Sequence, residues 1–420
     1  MKNPLLVSLA AWSLSILALS ADITIDNFTD ATNDRFTNDD AFIADAYNLS
    51  AIGKSGARWG TLVSSNVILC ANHYHPLVGN SITFYASNDA TGASETRTVS
   101  AGERIGETDL WVGVLNEPLP VEYEPLPFMT NNVQNDAAFL SSGLYNQQMF
   151  LVGVSASSPN VALDTAIGQN RIAGYELDYE VPGKSSEQDA TGDAIFTIQN
   201  SSGQIGYLTY EAQLEDQDSG APMLQVRSGE LTIIGINWFI GSTGANRVSG
   251  ATYVGNYDAE IQAIIDAYDG LSVPSGYGAW AATAFGSTDI SQYPPDEDSD
   301  DDGLDNYNEY ALAKDPLTYD AGATGSIDTT TVSGSEYAQL SITLQQNDDD
   351  LNYTVQTGGD PANLTAATLS YSGGWSVGNS AVATIASSVN NGDSTWTLTL
   401  RDASSMLPGV ARFMRIGYDD

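Results

Sequence analysis

The chain is poor in cysteine, histidine and basic residues, and each shortage excludes something. Its 420 residues hold one cysteine, Cys70, so an intrachain disulfide framework and a thiolate-rich metal site are both ruled out. Lys and Arg number 14 against 53 Asp and Glu, for a formal net charge of −39. Nucleic acid and anionic membrane are poor partners for so acidic a chain, because both need clustered bases. Histidine occurs only at positions 73 and 75, in Val67-Ile-Leu-Cys-Ala-Asn-His73-Tyr-His75-Pro76, so any imidazole chemistry is confined to that one place. A His-x-His metal pair there would lack a further His or Cys. Helical periodicity is also scarce: none appears before residue 257.

What is present is enough to build cores. The hydrophobic fraction is 42%, and 420 residues exceed what a single core organises, so two or three domains are expected. Residues 1–21 read as a secretory signal, with Lys2, the apolar stretch Leu5 to Leu19 and small residues around Ala21, which places the protein outside the cell or in a periplasm with no membrane span after removal. After a polar lead-in, strand patterns begin near 48–52 and recur at 59–63, 66–71, 81–86, 96–100, 109–115, 138–140, 149–154, 195–199, 204–210 and 231–239. Ile261, Ile264, Ile265 and Tyr268 then fall at i, i+3, i+4 and i+7 and predict one late helix. Many short strands followed by a single helix point to an all-β fold of paired barrels.

Three polar residues stand at strand ends or turns. His73, with His75 as the alternative imidazole, follows the apolar run 67–71, Asp109 opens Leu110-Trp-Val-Gly-Val-Leu115, and Ser219 lies in the turn-forming run Leu214-Glu-Asp-Gln-Asp-Ser-Gly-Ala-Pro222. A serine hydroxyl becomes a nucleophile only when a base takes its proton, and that base works best when a carboxylate orients it. Cys70 belongs to the strand before His73 and reads as a small buried hydrophobe rather than a nucleophile.

These segments, in this order, resemble the trypsin- or chymotrypsin-like serine peptidases of secreted bacterial type. Trp59-Gly-Thr-Leu-Val-Ser-Ser-Asn-Val-Ile-Leu-Cys-Ala-Asn-His73 is similar to the family's segment ending Ala-Ala-His, Asp109-Leu-Trp-Val to Asp-Ile-Ala-Leu, and Asp218-Ser-Gly-Ala-Pro222 to Gly-Asp-Ser-Gly-Gly-Pro. Gly250 to Tyr257 resembles the last strand leading into the C-terminal helix. The resemblance implies two six-stranded β-barrels over residues 22–270, with His73 as base, Asp109 as its orienter, Ser219 as nucleophile, and the backbone N–H groups of Gln217 and Ser219 as oxyanion hole. It implies a protein or peptide substrate and no cofactor for catalysis. Two departures stand out: Gln217 replaces the family's usual Gly, and no Ile-Val-Gly-Gly terminus is present to pair with Asp218. By position Gln213 would lie near the base of the specificity pocket, with Glu215 and Asp216 read as solvated acids.

Beyond a Gly-, Ser- and Pro-rich connector at 271–295, the run Asp298-Ser-Asp300-Asp-Asp302-Gly303-Leu304-Asp-Asn306-Tyr-Asn-Glu309 fits the twelve-residue calcium loop. Asp298, Asp300, Asp302, the Leu304 carbonyl, Asn306 and Glu309 are the expected Ca2+ ligands of an EF-hand-like loop spanning 296–316. Residues 317–420 predict a β-sandwich-like accessory domain, with attachment to a surface or polysaccharide, partner binding and stabilisation as its open roles. The expected whole is a secreted serine endopeptidase. A catalytically silent homologue acting as a calcium-stabilised binding or adhesion protein is the alternative.

Overall fold

The computed structural model describes residues 22–156, 163–181, 190–244, 246–273, 276–319, 325–346, 351–392 and 394–419. The expected signal segment, 1–21, lies outside them. The chain divides into two compact units, one ending at Leu271 and the other beginning at Ser272.

The first unit opens with β1 (Thr24–Ile25). Six strands follow: β2 (Ile52–Ser55), β3 (Arg58–Leu62), β4 (Val67–Ala71), β5 (Ser81–Tyr85), β6 (Ser94–Arg104) and β7 (Leu110–Leu115). They close into an antiparallel barrel in the order β2-β3-β4-β7-β6-β5, which leaves no unpaired edge. Strands β4 and β7 are unbroken apolar runs because both their faces are covered, and every residue in them is buried. One face looks into the barrel; the helix Asp258–Tyr268 lies against both strands. That helix buries Ile261, Ile264, Ile265 and Tyr268, as its period requires. Each of the three isoleucines, once buried, contributes roughly 1.5–3 kcal/mol of transfer free energy.

The second barrel uses β8 (Gln148–Gly153), β9 (Ala166–Glu180), β10 (Thr191–Ile198), β12 (Pro222–Arg227), β13 (Glu230–Thr243) and β14 (Asn246–Tyr253). It closes in the order β10-β14-β13-β12-β8-β9. The short β11 (Ala212–Gln213) stands apart and pairs with β1, Thr24 opposite Gln213 and Ile25 opposite Ala212. Two closed six-stranded barrels and a C-terminal helix are the double-barrel architecture of trypsin-like proteins, as expected.

Some strand positions differ from the expectation. Residues 136–141 are a helix, capped by Asn135, whose side chain accepts from the Ala138 amide at 3.0 Å. Residues 204–210 form turns: Gly203 and Gly206 have φ of +90° and +96°, and Ile205 projects into solvent. The long β9 was missed because polar and small residues, among them Gly168, Asn170, Arg171 and Gly174, dilute its apolar alternation.

The second unit begins with the helix Tyr277–Phe285 and, after the aspartate-rich loop, the helix Asn306–Ala311. Eight strands follow: β15 (Gly325–Val332), β16 (Ser335–Gln345), β17 (Asn352–Gly358), β18 (Thr365–Tyr371), β19 (Trp375–Val377), β20 (Ala383–Asn390), β21 (Thr395–Asp402) and β22 (Phe413–Asp419). They form two four-stranded sheets, β15-β16-β21-β20 and β19-β18-β17-β22. Leu340, Leu344, Leu398 and Leu400 of one sheet and Tyr353, Val355 and Leu369 of the other are buried, the alternate-residue pattern of a sandwich. Tyr353 donates its hydroxyl to the Ala311 carbonyl at 2.7 Å and so ties the sandwich to the helix after the loop. Tyr371 and Trp375 pack on each other at 5.7 Å, and Trp375 on Tyr353 at 5.9 Å.

Candidate active site

His73 sits just past the end of β4, in the short turn Asn72–Tyr74. Asp109, at the start of β7, is 1% exposed, and β4 and β7 pair Ala71 with Leu110, so the sheet register sets the acid beside the turn. One Asp109 oxygen accepts the His73 backbone N–H at 2.9 Å and the other meets His73 Nδ1 at 2.7 Å. A carboxylate can only accept, so Nδ1 carries a proton and, in the neutral ring, Nε2 presents the lone pair. His75 is turned elsewhere. Its Nδ1 faces the Pro76 carbonyl at 2.8 Å and its ring stacks on Trp111 at 4.3 Å, while burial holds its pKa below the usual histidine value.

Ser219 lies in the turn before β12. The preceding Gln217 has φ +79°, the left-handed conformation that turn demands and that favours glycine. The strain is offset by contacts on either side. Trp59 Nε1 donates to the Gln217 carbonyl at 3.0 Å, the Gly220 amide donates to the Asn237 carbonyl at 2.9 Å, and Asn237 Nδ2 donates to the Asp218 carbonyl at 3.2 Å and the Val152 carbonyl at 2.9 Å. Gly220 has φ +90°, and a Cβ there would stand 2.8 Å from Cys70 Sγ and 3.4 Å from the Ala71 amide. The Ser219 turn is thus pressed against the end of β4, two residues before His73.

Asp218 is fully buried. Its oxygens accept the Val154 amide at 2.7 Å and the Glu215 amide at 2.8 Å. Burial pushes its pKa well up, the two amide bonds oppose that rise, and the nearby Lys54 charge opposes it further. Lys54 is itself buried over the Trp59 ring at 4.2 Å and pairs with Asp164. Ile23 and Thr24 join the same network: the Ile23 amide donates to the Val154 carbonyl at 3.0 Å, and Thr24 Oγ1 to Glu215 Oε1 at 2.7 Å.

Glu215 is therefore no solvated acid. It accepts from Thr24, from Gln213 Nε2 at 3.1 Å and from Arg247 at 2.7 Å, whereas Asp216 is exposed as expected. Nothing local in the sequence marks Trp59, Asn237, Val154 or Arg247 as supports of this turn. Cys70 is buried, which pushes its thiol pKa up and leaves it protonated.

Among the described residues, the Gln217 and Ser219 amides have no hydrogen-bond acceptor, and neither the Ser219 hydroxyl nor His73 Nε2 has a partner. The geometry offers two free N–H donors, a free hydroxyl and a basic nitrogen on adjoining segments, which is the inventory acyl transfer requires. The Ser219 to His73 hydrogen bond is open.

In the second unit one carboxylate oxygen each from Asp298, Asp300 and Asp302 lies within 4.8 Å of the others. The Asp302 amide donates to Asp298 and Asp300 at 3.1 Å, and Gly303, at φ +96°, donates its amide to Asp298 at 2.8 Å. Glu309 is fully buried on the following helix. The Asn306 side chain is engaged within the loop, accepting from Ser299 Oγ at 2.9 Å and donating to the Pro294 carbonyl at 2.8 Å. An oxygen-only donor set with this turn fits a hard divalent cation such as calcium, with Asn306 bracing the loop or acting through water.

No family model matches the chain, and no curated protein matches it. Solved structures similar to it include the NS6 protease of murine norovirus 1 and the Rv3671c protease in its inactive form, each 14% identical and covering 50% of this chain. They are covered over 92% and 86% of their own lengths, with TM-scores of 0.31 and 0.32. An inactive, C-terminally extended form of the norovirus protease matches at 15% identity and a TM-score of 0.30, covering 49% of this chain and 96% of its own. Likeness this distant carries no weight for the chemistry; the class rests on the two closed barrels.

Proposed function

We propose that the chain is a secreted serine endopeptidase that cleaves peptide bonds through an acyl-enzyme. The observation that carries this reading is the clasp of His73 by the buried Asp109, which orients the neutral imidazole with Nε2 as its base, on a segment that adjoins the Ser219 turn through Gly220 and Ala71. Ser219 Oγ attacks the peptide carbonyl as His73 Nε2 takes its proton, and the Gln217 and Ser219 amides receive the oxyanion. His73 then protonates the leaving amine and activates the water that hydrolyses the ester. Asp109 keeps the imidazole in one tautomer and stabilises its charged form. Calcium, held by Asp298, Asp300, Asp302, the Leu304 carbonyl and Glu309, would rigidify the loop without entering the chemistry.

The test is labelling of the mature protein by a fluorophosphonate probe, comparing wild type with Ser219→Ala and His73→Ala. Labelling lost in both variants is expected. A folded wild type that takes up no probe would sink the peptidase reading in favour of a silent binding module, the alternative favoured by the open contact between Ser219 and His73.

A further inference from the structure

In so acidic a chain most cations near acids are neutralised: Lys54 by Asp164, Arg97 by Glu95 and Arg247 by Glu215. Arg58 is different. Among the described residues it has no carboxylate partner and its guanidinium N–H groups have no acceptor, although the side chain is half-buried. It opens β3, whose next residue, Trp59, is bonded to the Gln217 carbonyl and has its Cβ 3.7 Å from where a Gly220 Cβ would stand. On its other flank the Arg58 Cζ lies 5.0 Å over the ring of Tyr74, the residue after His73. Arg58 is therefore the strand neighbour of the residue that packs on the Ser219 turn, and its own side chain lies over the residue after His73. A guanidinium stacked through its face keeps its planar fork of donors free at the edge, and that fork matches a carboxylate.

We propose that Arg58 is a specificity-determining residue of this site and binds the carboxylate of an Asp or Glu side chain flanking the scissile bond. The proposal rests on the peptidase reading. The surrounding negative charge disfavours acidic peptides in general. An acid is thus accepted at the one position that reaches Arg58 and is neutral or harmful at every other.

The experiment uses the full mature chain and a neutral peptide series in which a single Gln→Glu change is walked through each position, with kcat/KM expressed per fluorophosphonate-titrated serine. In wild type, Glu at one flanking position is expected to raise kcat/KM about tenfold to a hundredfold, the scale of a charge-assisted hydrogen bond. Arg58→Gln should abolish that gain, Arg58→Lys should retain part of it, and Arg58→Glu should transfer the preference to Lys at the same position. A purely structural role for Arg58 would lower all peptides together and leave their ratio unmoved. A titratable wild type with a flat Glu scan, or an Arg58→Gln enzyme that keeps the gain, overturns the proposal alone. A folded wild type that cannot be titrated overturns the peptidase reading and this proposal with it.

Discussion

Replacing Asp218 by Asn tests whether the Ser219 turn is held by the network beneath it. The native carboxylate accepts two backbone amides, Val154 at 2.7 Å and Glu215 at 2.8 Å, one on each oxygen. An Asn side chain offers one acceptor and one donor, so one amide would face an N–H group and lose its partner. A hydrogen bond to a charged group is worth about 1.5–3 kcal/mol, and a buried orphan donor costs about 1–3 kcal/mol. Against this, removing the charge relieves the burial that pushes the Asp218 pKa up. The net expectation is a loss of about 1–3 kcal/mol, or roughly 2–12 °C in the melting temperature of a unit this size. Thermal and urea unfolding would measure it, and the fluorophosphonate labelling rate should fall because the Ser219 turn loses its support.

The pH dependence has a definite sign. A carboxyl whose folded pKa is raised stabilises the fold most below its unfolded value and loses that contribution as pH rises through the folded value. The wild-type advantage over Asp218→Asn should therefore be largest in acid and shrink toward neutrality. A variant as stable as wild type that labels at the same rate would refute the support argument; an advantage that grew with pH would refute the primacy of burial.

Two further outcomes follow from backbone geometry and the oxygen-rich loop. Gln217→Gly should stabilise the first unit by about 0.5–1 kcal/mol in a melting experiment, since relief of about 1–2 kcal/mol of left-handed strain outweighs the roughly 0.5–1 kcal/mol of added chain entropy. Calcium at a hundredfold excess over its dissociation constant should stabilise the second unit by about 2.7 kcal/mol, and both that shift and the calorimetric binding signal should vanish in Asp300→Asn. Absence of calcium binding by the wild type would remove the loop from the list of metal sites.

Much of the fold was legible without coordinates, because burial writes itself locally into a strand. The unbroken apolar runs 67–71 and 110–115 could only be strands covered on both faces, and the spacing of Ile261, Ile264, Ile265 and Tyr268 could only bury one side of a helix. The same local logic brought His73, Asp109 and Ser219 forward, each at the end of an apolar run or in a turn, and set Gly303 in register with Asp298, Asp300 and Asp302.

Where a buried group finds its partner is a different kind of question, and only the tertiary structure decided it. Asp218 lies 64 residues from Val154, Gln217 lies 158 from Trp59, and Glu215 lies 191 from Thr24. Hydrogen-bond partners at such separations leave no periodic trace, because any residue with a donor in the right place would serve. Gln217 shows the division most clearly: its replacement of a glycine was visible in the sequence. That it nonetheless adopts φ +79° is a product of the indole N–H holding its carbonyl and the barrels closing around the turn.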